Sequence, residues 1–247
     1  MSSASFVQII ERFTNVANNG QDAAEDISIT GVQAGSTLIA CLRMDDSERA
    51  VDVNVSDDVN GAWTRLDTII LGAAHSLHMY MIPNVGAGDY VVSYGGENNK
   101  TRWLVAEYKD VIAASLHANS YEFTAATTAP NGDITITADG AVIKVIGTPN
   151  DLTTEAINEA GFTGRGDGVG DTSALTSRIL IADDDLASGT HTIDWSTPTG
   201  EFIVGVIALE LSAAGGGNID CPFISAGTAL YEPAVTGDGD ISCDFIS

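Results

Sequence analysis

The sequence predicts an all-β chain: an antiparallel, jelly-roll-like β-sandwich over residues 1–212, then a short C-terminal β-repeat arm. Three observations predict it. Apolar and polar residues alternate with a period of two between Gly, Asn, Asp and Pro punctuation. Helical periodicity is scarce. Strand follows strand with no intervening helix, which calls for antiparallel pairing and two packed sheets.

In chain order, DISITGVQAGSTLIACL opens the series of strands. VDVNVSDDV and AWTRLDTII flank Asn60-Gly61, a hairpin signal because a type I′ turn needs two residues tolerant of positive φ. HSLHMYMIP, GDYVVSYGG, TRWLVAEY, GDITITADGAVIKVIG, SRILIA, GTHTIDW and EFIVGVIALEL complete the strands. Short helices are expected at 153–160 (TTEAINEA) and 9–15, but neither carries an apolar stripe wide enough to organise a layer.

A faint repetition runs through these strands. MYMIPNVGAGDYVVSY aligns with LIADDDLASGTHTIDW, setting Val85, Gly88, Val92 and Tyr94 on Leu186, Gly189, Ile193 and Trp195. Each copy is followed by a strand ending in acid, WLVAEY or VIALEL, and preceded upstream by STLIACL or GAVIKVIG. The domain is therefore expected to consist of two related halves, as a jelly roll combines two Greek keys.

After Leu211 the composition changes to SAAGGGN, a flexible joint over 213–218. Beyond it Ile219, Cys221, Phe223, Ile224 and Ser225 recur as Ile241, Cys243, Phe245, Ile246 and Ser247, a period of 22 residues over 219–247 whose second copy is incomplete. A unit this small cannot bury its own apolar face and must stack on a neighbour. Either the natural polypeptide continues past Ser247, or the segment is ordered by docking. Phe223, Ile224, Leu230, Tyr231, Phe245 and Ile246 are the expected partner-binding residues, because large apolar side chains without a core must find one elsewhere.

Charge narrows the partners. Against 34 acidic residues stand 10 basic ones, a formal charge of −24. The resulting field repels nucleic acid and anionic membrane, and no Lys/Arg cluster overrides it. Neither a basic, apolar secretory leader nor a window of about 18 apolar residues is present, so a soluble chain made in the cytosol is expected. Of the three cysteines, Cys41 lies in the apolar run STLIACL and reads as a buried thiol. Cys221 and Cys243 hold equivalent places in the repeats and lack CxxC spacing, which favours unbonded residues.

The stretch PFISAGTALYEPAV resembles the P-F-I-x-A-G-T-x-L-Y-x-P-x-V repeats near the C-termini of tailed-bacteriophage virion structural proteins. The segments VSDDVNGAWTRL, PNVGAG and LVAEYKDV are similar to the β-sandwich that accompanies those repeats, over most of 28–211. Asp244 stands where the first repeat has Pro222. The resemblance implies a component of the virion, made in the host cytoplasm and carried on capsid or tail, whose partners are other copies of itself and other virion proteins.

Glu107 and Glu210 end related strands and suggest a glycosidase pair, yet paired strands do not make paired geometry, and a structural or solvated role is the better reading. Asp45-Asp46, Asp57-Asp58, Asp183-Asp184-Asp185 and Asp238-Gly-Asp240 read as solvated turns, with Ca2+ at 183–185 or 57–58 as the alternative and no EF-hand spacing. His75 and His78 fall on opposite strand faces, which disfavours zinc. Neither a nucleophile elbow nor a phosphate-binding loop occurs. Arg165-Gly166-Asp167 spells an adhesion tripeptide, more simply an exposed Gly-rich loop. Trp63, Trp103 and Trp195 lie in strand patterns, so core burial is their default. No cofactor is expected. The chain reads as a non-enzymatic capsid decoration or head/tail fibre protein that assembles through its apolar repeats. The rival is a receptor-binding module of a phage tail that recognises host-surface saccharide through 60–63, 96–102 and 163–171.

Overall fold

The computed structural model describes residues 5–14, 26–45, 53–71, 75–95, 100–123, 131–136, 139–148, 161–165, 178–194, 202–211, 234–235 and 241–242. Described strands before Leu211 fall into two sets. The first comprises β1 (Ser5–Thr14), β2 (Ile27–Val32), β3 (Ser36–Asp45), β4 (Asn54–Asp57), β5 (Gly61–Ala62), β6 (Thr64–Leu71), β7 (His75–Val85), β8 (Gly88–Gly95) and β9 (Lys100–Lys109). The second comprises β10 (Val111–Phe123), β11 (Asn131–Ile136), β12 (Gly140–Thr148), β13 (Thr163–Arg165), β14 (Arg178–Leu186), β15 (Gly189–Asp194) and β16 (Phe202–Leu211). In the separate unit 212–247, β17 (Ala234–Val235) pairs with β18 (Ile241–Ser242).

Every strand pair is antiparallel and stays within its own set. In the first set one sheet has the order β1-β9-β3-β7-β6 and the other β2-β8-β4-β5. First strand lies with last, second with next-to-last, third with seventh: a nested ribbon divided between two antiparallel sheets. The second set repeats it as β10-β16-β12-β14-β13 and β11-β15. The expectation of two related halves thus takes a stronger form. Each half forms a sandwich of its own, where the sequence pointed to one sandwich divided between two Greek keys.

Strand alternation explains how the halves are joined. In β3, Ile39 and Cys41 point one way and Leu38, Ala40 and Leu42 the other, and all are buried. The second group packs with Ile27, Ile29, Val55, Tyr90 and Val92 of the four-stranded sheet to form the first half's own core. In the second half Val142, Ile146, Leu180 and Ala182 pack likewise with Ile134, Ile136 and Ile193. Between them lies a third core in which Ile39, Cys41, Leu77, Met79 and Leu104 of one five-stranded sheet meet Ile143, Val145, Ile179, Ile181 and Ile207 of the other. The described strands between Ser5 and Leu211 therefore form four β-layers with the two five-stranded sheets innermost. Sheets buried on both faces read as nearly continuous apolar runs, as in STLIACL, AVIKVI and FIVGVIAL.

Register shows which positions correspond. Ile39 lies opposite Met81 and Ala106, and Ile143 opposite Asp183 and Ile207. Gly88 and Gly189 share a left-handed backbone, φ 155° and 146°. Upstream of that glycine the alignment slips by one residue: Leu38 to Ser36 answers Ile82 to Val85, whereas Val142 to Gly140 answers Asp184 to Leu186. The extra residue in β7 lies at Pro83-Asn84, where Asn84 has φ 53°. Met79 therefore corresponds to Ile181, not to Leu180.

Small residues admit the close approach of the central sheets. A Cβ on Gly205 would lie 2.7 Å from the Met79 sulfur, and one on Gly147 3.0 Å from Cδ of buried Arg43. Arg43 and Gly147 are equivalent positions in contact, as happens beside a two-fold axis.

Two local expectations are corrected. Residues 9–14 belong to β1, not to a helix, because β9 offers that segment an unbroken antiparallel ladder from Ala106 to Thr101. The hairpin at Asn60-Gly61 closes by pairing Asp57 with Gly61, so its loop has three residues and Gly61 alone takes a positive φ, 81°. Hydrogen bonds from the Val59 and Asn60 amides to the Asp57 carboxylate stabilise that longer turn over type I′. The helix expected at 153–160 lies outside the described residues.

Candidate functional site

The densest chemistry among the described residues lies where β13 and β14 of the second half meet β1 and β9 of the first. Arg165 donates from Nε to Asp183 at 2.9 and 3.1 Å, and its Nη2 lies 2.9 Å from Oδ1. The Tyr108 hydroxyl donates to Oδ2 of the same carboxylate at 2.8 Å. The Arg165 guanidinium lies 4.5 Å from the Phe6 ring centroid, and Phe6 meets Tyr108 edge to face at 5.7 Å. Asp183 is 6% exposed, so its charge is balanced by Arg165 in a largely dry setting.

Sequence position explains why this clasp occurs once. Asp183 sits on the inward face of β14, where the first half carries Met81, and Tyr108 sits where the second half carries Leu209. Met81 and Leu209 both belong to the central apolar core. One copy of each related position is polar, and the polar copies meet across the join between the halves.

A recess of about 120 Å³ adjoins the clasp, lined by Gly161, Thr163, Arg165, Asp183, Asp184 and Asp185. Burial, reinforced by neighbouring carboxylates, raises the pKa of Asp184 and of Asp185. Burial, then the Asp183 charge and the hydrogen bond to it, pushes the Tyr108 hydroxyl well above its ordinary value. Tyr108 thus stays protonated and serves as a donor. The run 183–185, expected as a solvated turn, is part of strand β14. Alternation turns Asp183 away from Asp184, and Arg165 already supplies Asp183 with a cation. Arg165, expected in an exposed Gly-rich loop, lies in β13 paired with Ile181. Among the described residues no three His, Cys, Asp or Glu side chains converge to hold a metal ion.

Glu107 is fully buried and serves as a pin. It accepts hydrogen bonds from Gln8 Nε2 at 2.7 Å, the Gln33 amide at 2.9 Å and Ser36 Oγ at 2.6 Å, while Gln8 also donates to the Thr30 carbonyl. One carboxylate thereby joins β1, β3 and the turn between β2 and β3. Glu107 lies opposite Leu38 and Glu210 opposite Gly140, so the position matching Glu107 is Ala208. The two glutamates end related strands at unrelated positions.

Asp57 serves the β4–β5 turn, accepting from Trp63 Nε1 at 2.7 Å as well as from the Val59 and Asn60 amides. Burial pushes its carboxyl up, and these hydrogen bonds outweigh burial and leave its pKa lowered. Trp63 and Trp103 are both buried, which removes them as sugar-stacking platforms. Of the segments expected to meet saccharide, Thr163–Arg165 is a paired strand and Arg102 lies buried in β9. Trp195 and the repeat residues Phe223, Ile224, Leu230, Tyr231, Phe245 and Ile246 lie outside the described residues. Lys144, missed by sequence reading, is fully buried with its ammonium 4.3 Å from the Phe162 ring centroid. Its one visible signal is a lysine interrupting AVIKVI.

No family model, curated protein or solved structure matches this chain. Functional assignment accordingly rests on the residues themselves. Among the described residues no helix is long and apolar enough to cross a membrane.

Two outcomes follow. Replacing Asp183 by Ala strands Arg165 and Tyr108 at a buried join and is expected to cost about 3–5 kcal/mol in urea unfolding. Tyr108→Phe, which removes one hydrogen bond to a charged group, should cost about 1–3 kcal/mol. The second outcome concerns pH. Burial first, then the Arg65 charge, lowers His78 from 6.5 to about 4. The unfolded chain therefore binds more protons at this site than the folded one, so its stability is fully present above pH 6.5 and falls as pH drops toward 4. The shift corresponds to about 3 kcal/mol, and His78→Gln should flatten stability across that window in pH-dependent urea titrations.

Proposed function

We propose that the chain is a non-enzymatic structural component of a tailed-phage virion, a decoration or fibre protein that attaches through its apolar C-terminal repeats. The observation that carries this reading is the stack of two β-sandwiches of nested strand order joined through an apolar centre, which we read as jelly-roll-like. Double-sheet jelly rolls are the architecture of viral capsid domains and of lectins. The resemblance of PFISAGTALYEPAV to virion-protein repeats favours the first of these. The buried carboxylates Glu107, Asp57 and Asp183 serve strand joins and turns, which suits a load-carrying body.

In this reading the acidic body projects from the particle, and Phe223, Ile224, Leu230, Tyr231, Phe245 and Ile246 bury against other copies or against shell proteins. The chain's net charge of −24 opposes association except where buried apolar contact outweighs the repulsion. The full chain is expected to associate by light scattering and to dissociate on dilution. A variant carrying Phe223→Ser, Ile224→Ser, Phe245→Ser and Ile246→Ser, prepared without an unfolding and refolding step, should remain monomeric with an unchanged circular dichroism spectrum. Equal association of variant and parent contradicts the assignment to the repeats, and failure of antibodies against the protein to label particles from its source contradicts a virion role.

A further inference from the structure

We infer that the two halves of residues 5–211 can exchange between copies of the chain, giving a reciprocally swapped dimer that hinges at Asp110. The inference stands on the sandwich body and is independent of the repeats. The halves are contiguous in sequence, and no hydrogen-bonded strand pair among the described residues crosses from one to the other. Side chains carry the join: the central apolar core, Tyr108 on Asp183, Arg165 over Phe6, Met79 against Gly205 and Arg43 against Gly147. Each of these contacts can form equally well between the first half of one copy and the second half of another.

The covalent link is short. Strand β9 ends at Lys109 and β10 begins at Val111, leaving Asp110 alone between them. Asp110 has φ 62°, a left-handed conformation that costs a non-glycine residue free energy, though Asp tolerates it better than most. The Ser5 hydroxyl donates to its carboxylate at 3.2 Å, which helps to hold the turn. A short, strained hinge between two units that bind each other is the condition for swapping, because the open form keeps every contact and loses the strain. β10 bends just past the hinge, its register shifting between Val111 and Leu116, so the chain crosses from one central sheet to the other within a few residues. Straightening there would carry the second half to a neighbour.

The test uses the full chain with Phe223, Ile224, Phe245 and Ile246 replaced by Ser, so that repeat-driven association does not enter. The protein is unfolded in urea, refolded at high and at low concentration, and sized by light scattering. A dimer fraction that rises with refolding concentration, persists after dilution and returns to monomer only through renewed unfolding is the expected result. Asp110→Val, whose branched side chain resists positive φ, should raise that fraction several-fold, and Asp110→Gly should lower it. Mixed refolding of copies labelled with a donor on the first half and copies labelled with an acceptor on the second should give energy transfer in the dimer peak. Monomer at every concentration in parent and Asp110→Val alike overturns the inference. So does a dimer that dissociates at once on dilution, or one formed equally by the Val and Gly variants.

Discussion

The constraint on which the remainder depends is the burial of both faces of the two five-stranded sheets. A sheet with one wet face can alternate apolar and polar residues; these two cannot, because Ile39, Cys41, Leu104 and Ile143 are as deeply buried on the central side as Leu38, Leu42, Val105 and Val142 are on the other. Once both faces are apolar, neither half can stand with its central sheet in water. The halves must cover each other, and the single-residue link at Asp110 keeps them at hand.

Polar groups in that setting are placed where a join needs direction as well as attraction. Apolar contact between two flat sheets is permissive in register. The Tyr108–Asp183–Arg165 clasp is not, since its donors and acceptors meet at one relative position of the halves. Glu107 does the same between layers of the first half, fixing β1 and the turn after β2 at the start of β3. Buried His78, held neutral between Thr68 and Ser76, belongs to the same pattern of polar side chains satisfied by neighbours.

Much of this was legible in the residues. Apolar stretches between Gly, Asn, Asp and Pro punctuation located β2, β3, β7, β8, β9, β11, β12, β14, β15 and β16, and the alignment of Gly88 with Gly189 pointed to the duplication. Strand β1 was missed because Ile9, Ile10 and Phe13 also suit a helix, and only the ladder offered by β9 decides between the two. Strand β10 was missed because Ala, Ser, His and Asn dilute its alternation. The clasp was hidden for another reason. Asp183 looks like one of three equal acids until strand pairing assigns it the inward face, and its partners Tyr108 and Phe6 lie in the other half. Its partner Arg165 was visible only as part of a tripeptide whose meaning lay elsewhere. The near-match of Glu107 and Glu210 misled by two residues, a distance that register alone reveals.

The claim that the halves are mutually dependent is tested most directly by native-state hydrogen exchange along a urea series. Slow amides in β3, β7 and β9 should open together with those in β12, β14 and β16, at one common free energy equal to that of global unfolding. Two well-separated opening energies, one for each half, would show that the central apolar face does not govern the fold and would contradict the account.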